Sequence, residues 1–181
     1  MEAIARGAGA STKTLYKRFK NKSDVLAAVV ERNVARAMAN HIGRATLAAE
    51  HLGPRDYLIR LGVEIGIALE TEENAALVRM MLAEGARNRD FARLNASVTR
   101  EVAAAIGDAL RTWRKQGKIA FDRDPDQLAS LCLQMLSSEL RIRAALGDAT
   151  SRVDLERSVR LAVEVFLRGI ARAEGGRGAT A

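Results

Sequence analysis

Apolar residues recur three and four positions apart through most of the chain, which is the spacing of amphipathic helices rather than the alternation of strands. A short helix is expected over 2–8, and Gly9 and Ala10 separate it from a second that Ser11 caps and that reaches Phe19. After a turn at 20–22, Ser23 is expected to cap a long helix to about Ala49, with Val25, Leu26, Val29, Asn33, Ala37 and Met38 at helical spacing. Such a helix spans about 40 Å, enough to join two units. Gly53-Pro54 opens the next, over 54–69, which is apolar nearly all round and should be the central member of a bundle. Further helices are predicted over 71–84, ended by Gly85, and over 90–116, ended by Gly117. Asp124-Pro125 starts one that Gly147 closes, and Ser151-Arg152-Val153-Asp154 resembles a capping box for a last helix ending near Arg172. The Gly-rich stretch 175–181 is read as a disordered tail.

Composition agrees with an all-α fold. Only two prolines and 4% aromatic residues leave little material for strands, and 48% apolar residues over 181 positions suffice for a sizeable core. No window reaches about 18 uninterrupted apolar residues, so no membrane span is expected. The sequence starts without a secretory pattern, and the single Cys132 cannot form an internal disulfide, so a cytoplasmic protein is expected. The net charge of +7 is uneven: residues 1–22 carry six basic side chains against Glu2 alone, a net +5. A basic front on a nearly balanced body suggests a nucleic-acid-facing unit joined to a unit with another task. The expected division is 1–45 for the DNA-binding unit with the start of the connecting helix, 46–174 for a ligand-binding and dimerisation unit, and 175–181 for the tail.

Ala5, Gly9 and Leu15 stand where a helix-turn-helix needs a small residue at the helix crossing, a glycine in the turn and an apolar lock in the second helix. The run Thr14-Leu15-Tyr16-Lys17-Arg18-Phe19-Lys20-Asn21-Lys22-Ser23-Asp24-Val25-Leu26 that follows resembles the signature of the tetracycline-repressor-like (TetR/AcrR) family of transcriptional regulators. Gln116-Gly117-Lys118-Ile119-Ala120-Phe121-Asp122-Arg123-Asp124-Pro125 is similar to a connection between two late helices of that family. The resemblance implies a helical homodimer with an N-terminal DNA-binding unit, a C-terminal regulatory bundle, and a further helix ahead of Met1. On that basis Ile4, Leu15, Phe19, Leu26 and Val29 would lack cover, and the natural protein is expected to start upstream of Met1, or its preceding residues to be disordered or left out here.

The residues themselves support a DNA-reading surface. Leu15 and Phe19, four apart, share an inward face, leaving Ser11, Thr12, Lys13, Thr14, Tyr16, Lys17 and Arg18 as candidate contacts to bases and phosphates of double-stranded operator DNA, with Lys22 as a phosphate contact. A ligand pocket for a small apolar effector is expected among Met38, Leu58, Gly62, Ile65, Gly66, Met80, Met81, Phe91 and Trp113, the two glycines marking a place where bulk is missing. Two apolar stripes are expected to form the dimer interface: Leu128, Leu131, Met135 and Leu136 on one helix, Leu155, Val159, Ala162, Phe166 and Ile170 on the next.

Other groups suggest no chemistry. His41 and His51 lack partners at metal-ligand spacing, so no metal or cofactor is expected; Cys132 sits on an apolar stripe as a structural thiol; Glu72 and Glu73 suit a helix start. An enzyme would need a nucleophile or acid–base set that the sequence does not offer. The other rival is a helical dimer that binds a ligand or protein partner without binding DNA.

Overall fold

The computed structural model describes residues 1–37, 52–85 and 89–171. These form eight helices and no strand: α1 (Glu2–Gly7), α2 (Thr12–Arg18), α3 (Lys22–Ala37), α4 (Pro54–Glu70), α5 (Glu72–Gly85), α6 (Arg89–Lys115), α7 (Pro125–Leu146) and α8 (Arg152–Ile170). The expected boundary near residue 45, the tail from 175, Met38, His41 and His51 all lie outside the described residues.

Local chemistry sets the boundaries. Ser11, Thr71, Asp124 and Ser151 each accept, through a side-chain oxygen, an N–H from the first turn of the helix that follows. Pro54 and Pro125 occupy first-turn positions where no N–H is needed. At the end of α1 the chain must reverse sharply, and Gly9 does so with φ +62°. The Gly9 N–H then reaches the Arg6 carbonyl at 3.2 Å and the Ala10 N–H the Ala5 carbonyl at 2.9 Å, the paired bonds of a Schellman stop. Gly117 and Gly147 close α6 and α7 in the same way. One cap differs from expectation. Asn21, not Ser23, begins the connecting helix, its Oδ1 accepting the Asp24 N–H at 2.9 Å while the Asp24 carboxylate accepts the Lys20 N–H at 2.8 Å.

α4 is the centre of the bundle, in contact with α5, α6, α7 and α8. Tyr57, Leu58 and Leu61 on it are wholly buried, together with Ile106, Leu110 and Trp113 of α6, Cys132 and Leu136 of α7, and Leu155, Val159 and Val163 of α8. Tyr57 and Trp113 meet edge to face with centroids 5.2 Å apart, a preferred aromatic geometry. Gly62 and Gly66 do not mark missing bulk. A Cβ on Gly62 would stand 2.7 Å from Val159 Cγ1 and one on Gly66 2.5 Å from Leu155 Cδ1, so the glycines let α8 lie directly on the α4 backbone. The N-terminal unit reaches this bundle through α3, which packs on α6 and whose Arg36 is paired with Glu73 in the first turn of α5.

Candidate nucleic-acid interface and regulatory surfaces

The geometry of the front starts from Ala5, which is 2% exposed where α1 meets α2. A larger side chain there would push the two helices apart. Leu15 and Phe19 are half-buried, and the opposite side of α2 therefore faces water. Lys13, Thr14, Tyr16, Lys17 and Arg18 are exposed, as is the cap residue Ser11, whereas Thr12 is half-buried. The Ser11 hydroxyl is occupied by the Thr14 N–H at 3.1 Å and shares a hydrogen bond with the Thr14 hydroxyl at 2.8 Å, so this pair shapes the helix start before it touches anything else. Lys22 is exposed at the first position of α3. Asn21 and Asp24 already serve N–H groups of that turn, so an anion there would meet chiefly the lysine ammonium.

The residues expected to line a pocket have different surroundings in the fold. Leu58 and Trp113 are sealed in the core, Gly62 and Gly66 are filled from α8, and Ile65, Met80 and Met81 are half-buried; of Phe91 only the backbone is described. Among the described residues, open space of about 280 Å³ lies where the end of α4, the start of α5 and the corner between α7 and α8 meet. Gly66, Leu69, Ala75 and Leu140 line it beside Arg79 and Arg143, with Glu70, Glu72, Asp148 and Thr150 at the same groove. Arg79 pairs with Glu72 at 2.6 Å, and Arg143 Nε stands 3.0 Å from Asp148 Oδ2. Of this lining sequence reasoning named only Gly66; it missed Arg79 and Arg143 because each, taken alone, is an ordinary polar residue of a helix.

The stripes assigned to an interface divide. Leu128, Leu136, Leu155, Val159 and Phe166 belong to the core of this chain, and Ala162 and Ile170 pack partly against it. Leu131 and Met135 face outward. They are joined on α7 by Ile142 and Leu146, and on α8 Val153, Leu161 and Val165 are exposed as well. The signal was present: 131, 135, 142 and 146 form a second helical row beside the row that faces the core.

The remaining titratable groups have structural roles. Burial pushes the Cys132 thiol up to about 12, which keeps it protonated and inert. The Arg36 guanidinium, with Asn33 beside it, holds the Glu73 carboxyl below the usual carboxylate range. Hydrogen bonding from Ser151 does the same for Asp154. Among the described residues no cluster of three or more His, Cys, Asp or Glu could hold a metal ion, and no helix is long and apolar enough to cross a membrane.

A basic helix-turn-helix, followed by α3 packed on a bundle that has five helices among the described residues, defines a two-part DNA-binding regulator. Residues 1–29 match the model for bacterial regulatory proteins of the tetR family, and residues 56–169 match the C-terminal domain of AefR-like transcriptional repressors. The fold is similar to that of a proposed TetR-family transcriptional regulator from Mesorhizobium loti MAFF303099, with TM-score 0.80, 25% identity and coverage of 94% of this chain and 85% of that one. Salmonella enterica GusR has the same fold at TM-score 0.70 and 22% identity, over 93% of this chain and 84% of its own. A proposed TetR-family regulator from Rhodococcus sp. does so at 0.72 and 20%, over 92% and 86%. No curated protein matches the sequence significantly. The chain belongs to the TetR family: it is a transcriptional regulator with an N-terminal DNA-binding unit, and not an enzyme.

Proposed function

We propose that the protein is a cytoplasmic, dimeric repressor that binds a palindromic operator and is released from it by a small-molecule effector. The observation that carries this is the row Lys13, Thr14, Tyr16, Lys17 and Arg18, exposed together on a helix whose opposite side is fixed by Ala5, Gly9 and Leu15. In a major groove, Lys17 and Arg18 donate to guanine or phosphate, Thr14 and Tyr16 reach base edges or phosphates, and Ser11, Thr12 and Lys22 hold the backbone. Reading a palindrome requires two copies of α2 about 34 Å apart, which a two-fold axis supplies. The outward apolar rows of α7 and α8 support that axis, since a four-helix contact covers them and an obligate interface buries more than about 2,000 Å².

Release requires an effector that prefers one arrangement of the connecting helix. A preference of about 100-fold, or about 2.7 kcal/mol, frees most of the DNA. The pair formed by Arg36 and Glu73 supports a route, because it ties that helix to the regulatory bundle.

The test is a gel shift with the DNA upstream of the protein's own coding region. Tight, salt-sensitive binding to one palindromic segment is the expected result. Binding that is equally weak on unrelated DNA counts against operator recognition and favours a ligand- or partner-binding helical dimer.

A further inference from the structure

The groove at the corner of α4, α5, α7 and α8 differs from a water-filled surface crease in how its charges are arranged. In each ion pair the cation is the deeper member. The Arg79 side chain is 41% exposed and its partner Glu72 86%; Arg143 is 31% exposed and its partner Asp148 60%. The carboxylates can therefore turn into water at little cost, while the Arg143 Nε stays buried in the wall and the exposed Arg79 stands at the rim. Arg143 also keeps an unused donor. Its buried Nε–H makes no hydrogen bond, because Asp148 lies at ion-pair distance but off the N–H direction. Beside these donors, Leu69, Leu140, Ala75 and Ala144 give the groove an apolar side.

We infer that this groove binds a small amphipathic carboxylate, its head taken by Arg143 and Arg79 in place of Asp148 and Glu72, its apolar body lying on Leu69 and Leu140. At about 30 Å³ for each displaced water, the space of about 280 Å³ suits a ligand of about ten heavy atoms. A planar guanidinium recognises a carboxylate with two parallel N–H donors, which selects an acid over the matching amide or amine. Glu72 competes with the ligand for Arg79. It is also the sequence neighbour of Glu73, the residue that holds Arg36, so the site lies one residue from the tie to the DNA-binding unit. The inference rests on the effector reading above for its purpose, but binding can be measured without DNA.

The experiment is calorimetric titration of the full chain with benzoate and hexanoate, each beside its neutral amide and its amine counterpart. At least one acid is expected to bind about tenfold or more tighter than its amide, with the amine weaker still. Arg143→Gln and, independently, Arg79→Gln should remove that selectivity while the circular dichroism melt stays cooperative. Glu72→Gln should tighten the acid several-fold, an effect that no general loosening of the fold produces. Equal binding of the three head groups, preference for the amine, absence of saturation by either acid at millimolar concentration, or weaker binding to Glu72→Gln overturns the proposal. If acid selectivity fails while gel shifts with operator DNA succeed, the site is wrong and the regulator reading stands; the reverse pattern overturns the regulator reading alone.

Discussion

Lys22 opens α3 rather than lying on α2, and its neighbours Asn21 and Asp24 are bound into the turn. On the proposed reading its ammonium meets the DNA backbone rather than base edges. Lys22→Ala should weaken binding by a similar factor on all sequences and lower the salt slope by about one unit per half-site. Lys17→Ala and Tyr16→Ala should in addition change the preferred sequence, because these side chains project from α2 itself. Competition binding across several salt concentrations separates the two patterns, and an unchanged salt slope for Lys22→Ala would sink the phosphate assignment. In the core, Gly62 faces Val159, a stiff β-branched side chain that is 2% exposed and has nowhere to move. Gly62→Ala gains up to about 1 kcal/mol of helix propensity but loses about 1–3 kcal/mol to overpacking, so net destabilisation is expected. Combined with Val159→Ala the loss should be smaller than the sum of the two single changes, which denaturant melts would show. Gly66→Leu, which an open pocket would welcome, should unfold the bundle instead.

At the level of helices, punctuation was the legible part. Asp124-Pro125, Ser151 and the glycines at 9, 117 and 147 announce starts and stops through local hydrogen bonding alone, and the helices begin and end within one or two residues of those signals. The inward face of α2 was equally readable, because Leu15 and Phe19 allow one orientation. Partnership was not readable. α7 and α8 each carry two apolar rows, and sequence cannot say which row meets α4 and which meets water; Leu128 and Leu136 turned inward while Leu131 and Met135 did not. The groove was hidden for a similar reason, since its lining comes from two stretches far apart in the chain, 66–79 and 140–150. One inter-helix tie yields a prediction of its own. Arg36 and Glu73 are both more than half exposed, so breaking their pair should leave the melting temperature nearly unchanged. If the tie transmits the effector signal, Arg36→Ala, Glu73→Ala and the double variant should blunt release from the operator to the same degree. Independent, additive effects in that cycle would remove the pair from the route.

For the whole molecule, the proposed operator recognition depends on assembly. Leu161 and Val165 are 63% and 53% exposed on α8, and a dimer that covers them gains about 1.5–3 kcal/mol for each fully buried large side chain. Leu161→Glu should give a folded monomer by sedimentation and lose operator affinity with no change to the DNA-reading residues. A variant that remains dimeric would place the interface elsewhere. Alkaline stability follows from the core. The Cys132 thiol, raised from an ordinary value of 9.0 to about 12, stays protonated in the fold while the unfolded chain gives up its proton. The penalty is therefore absent below about pH 9 and grows as pH rises toward 12, by on the order of 1 kcal/mol per unit. Melts of Cys132→Ala should show a shallower decline over that window than the parent.

The same buried sulfur gives the chain an internal clock. It is the only thiol of the sequence and it is 1% exposed, so an alkylating label at mild pH can mark only those molecules whose bundle has momentarily parted. The rate at which label accumulates then counts the openings of the unmodified protein, one mass increment per molecule. Anything that grips the closed bundle, whether a second copy or a ligand at its corner, should make that clock run slower.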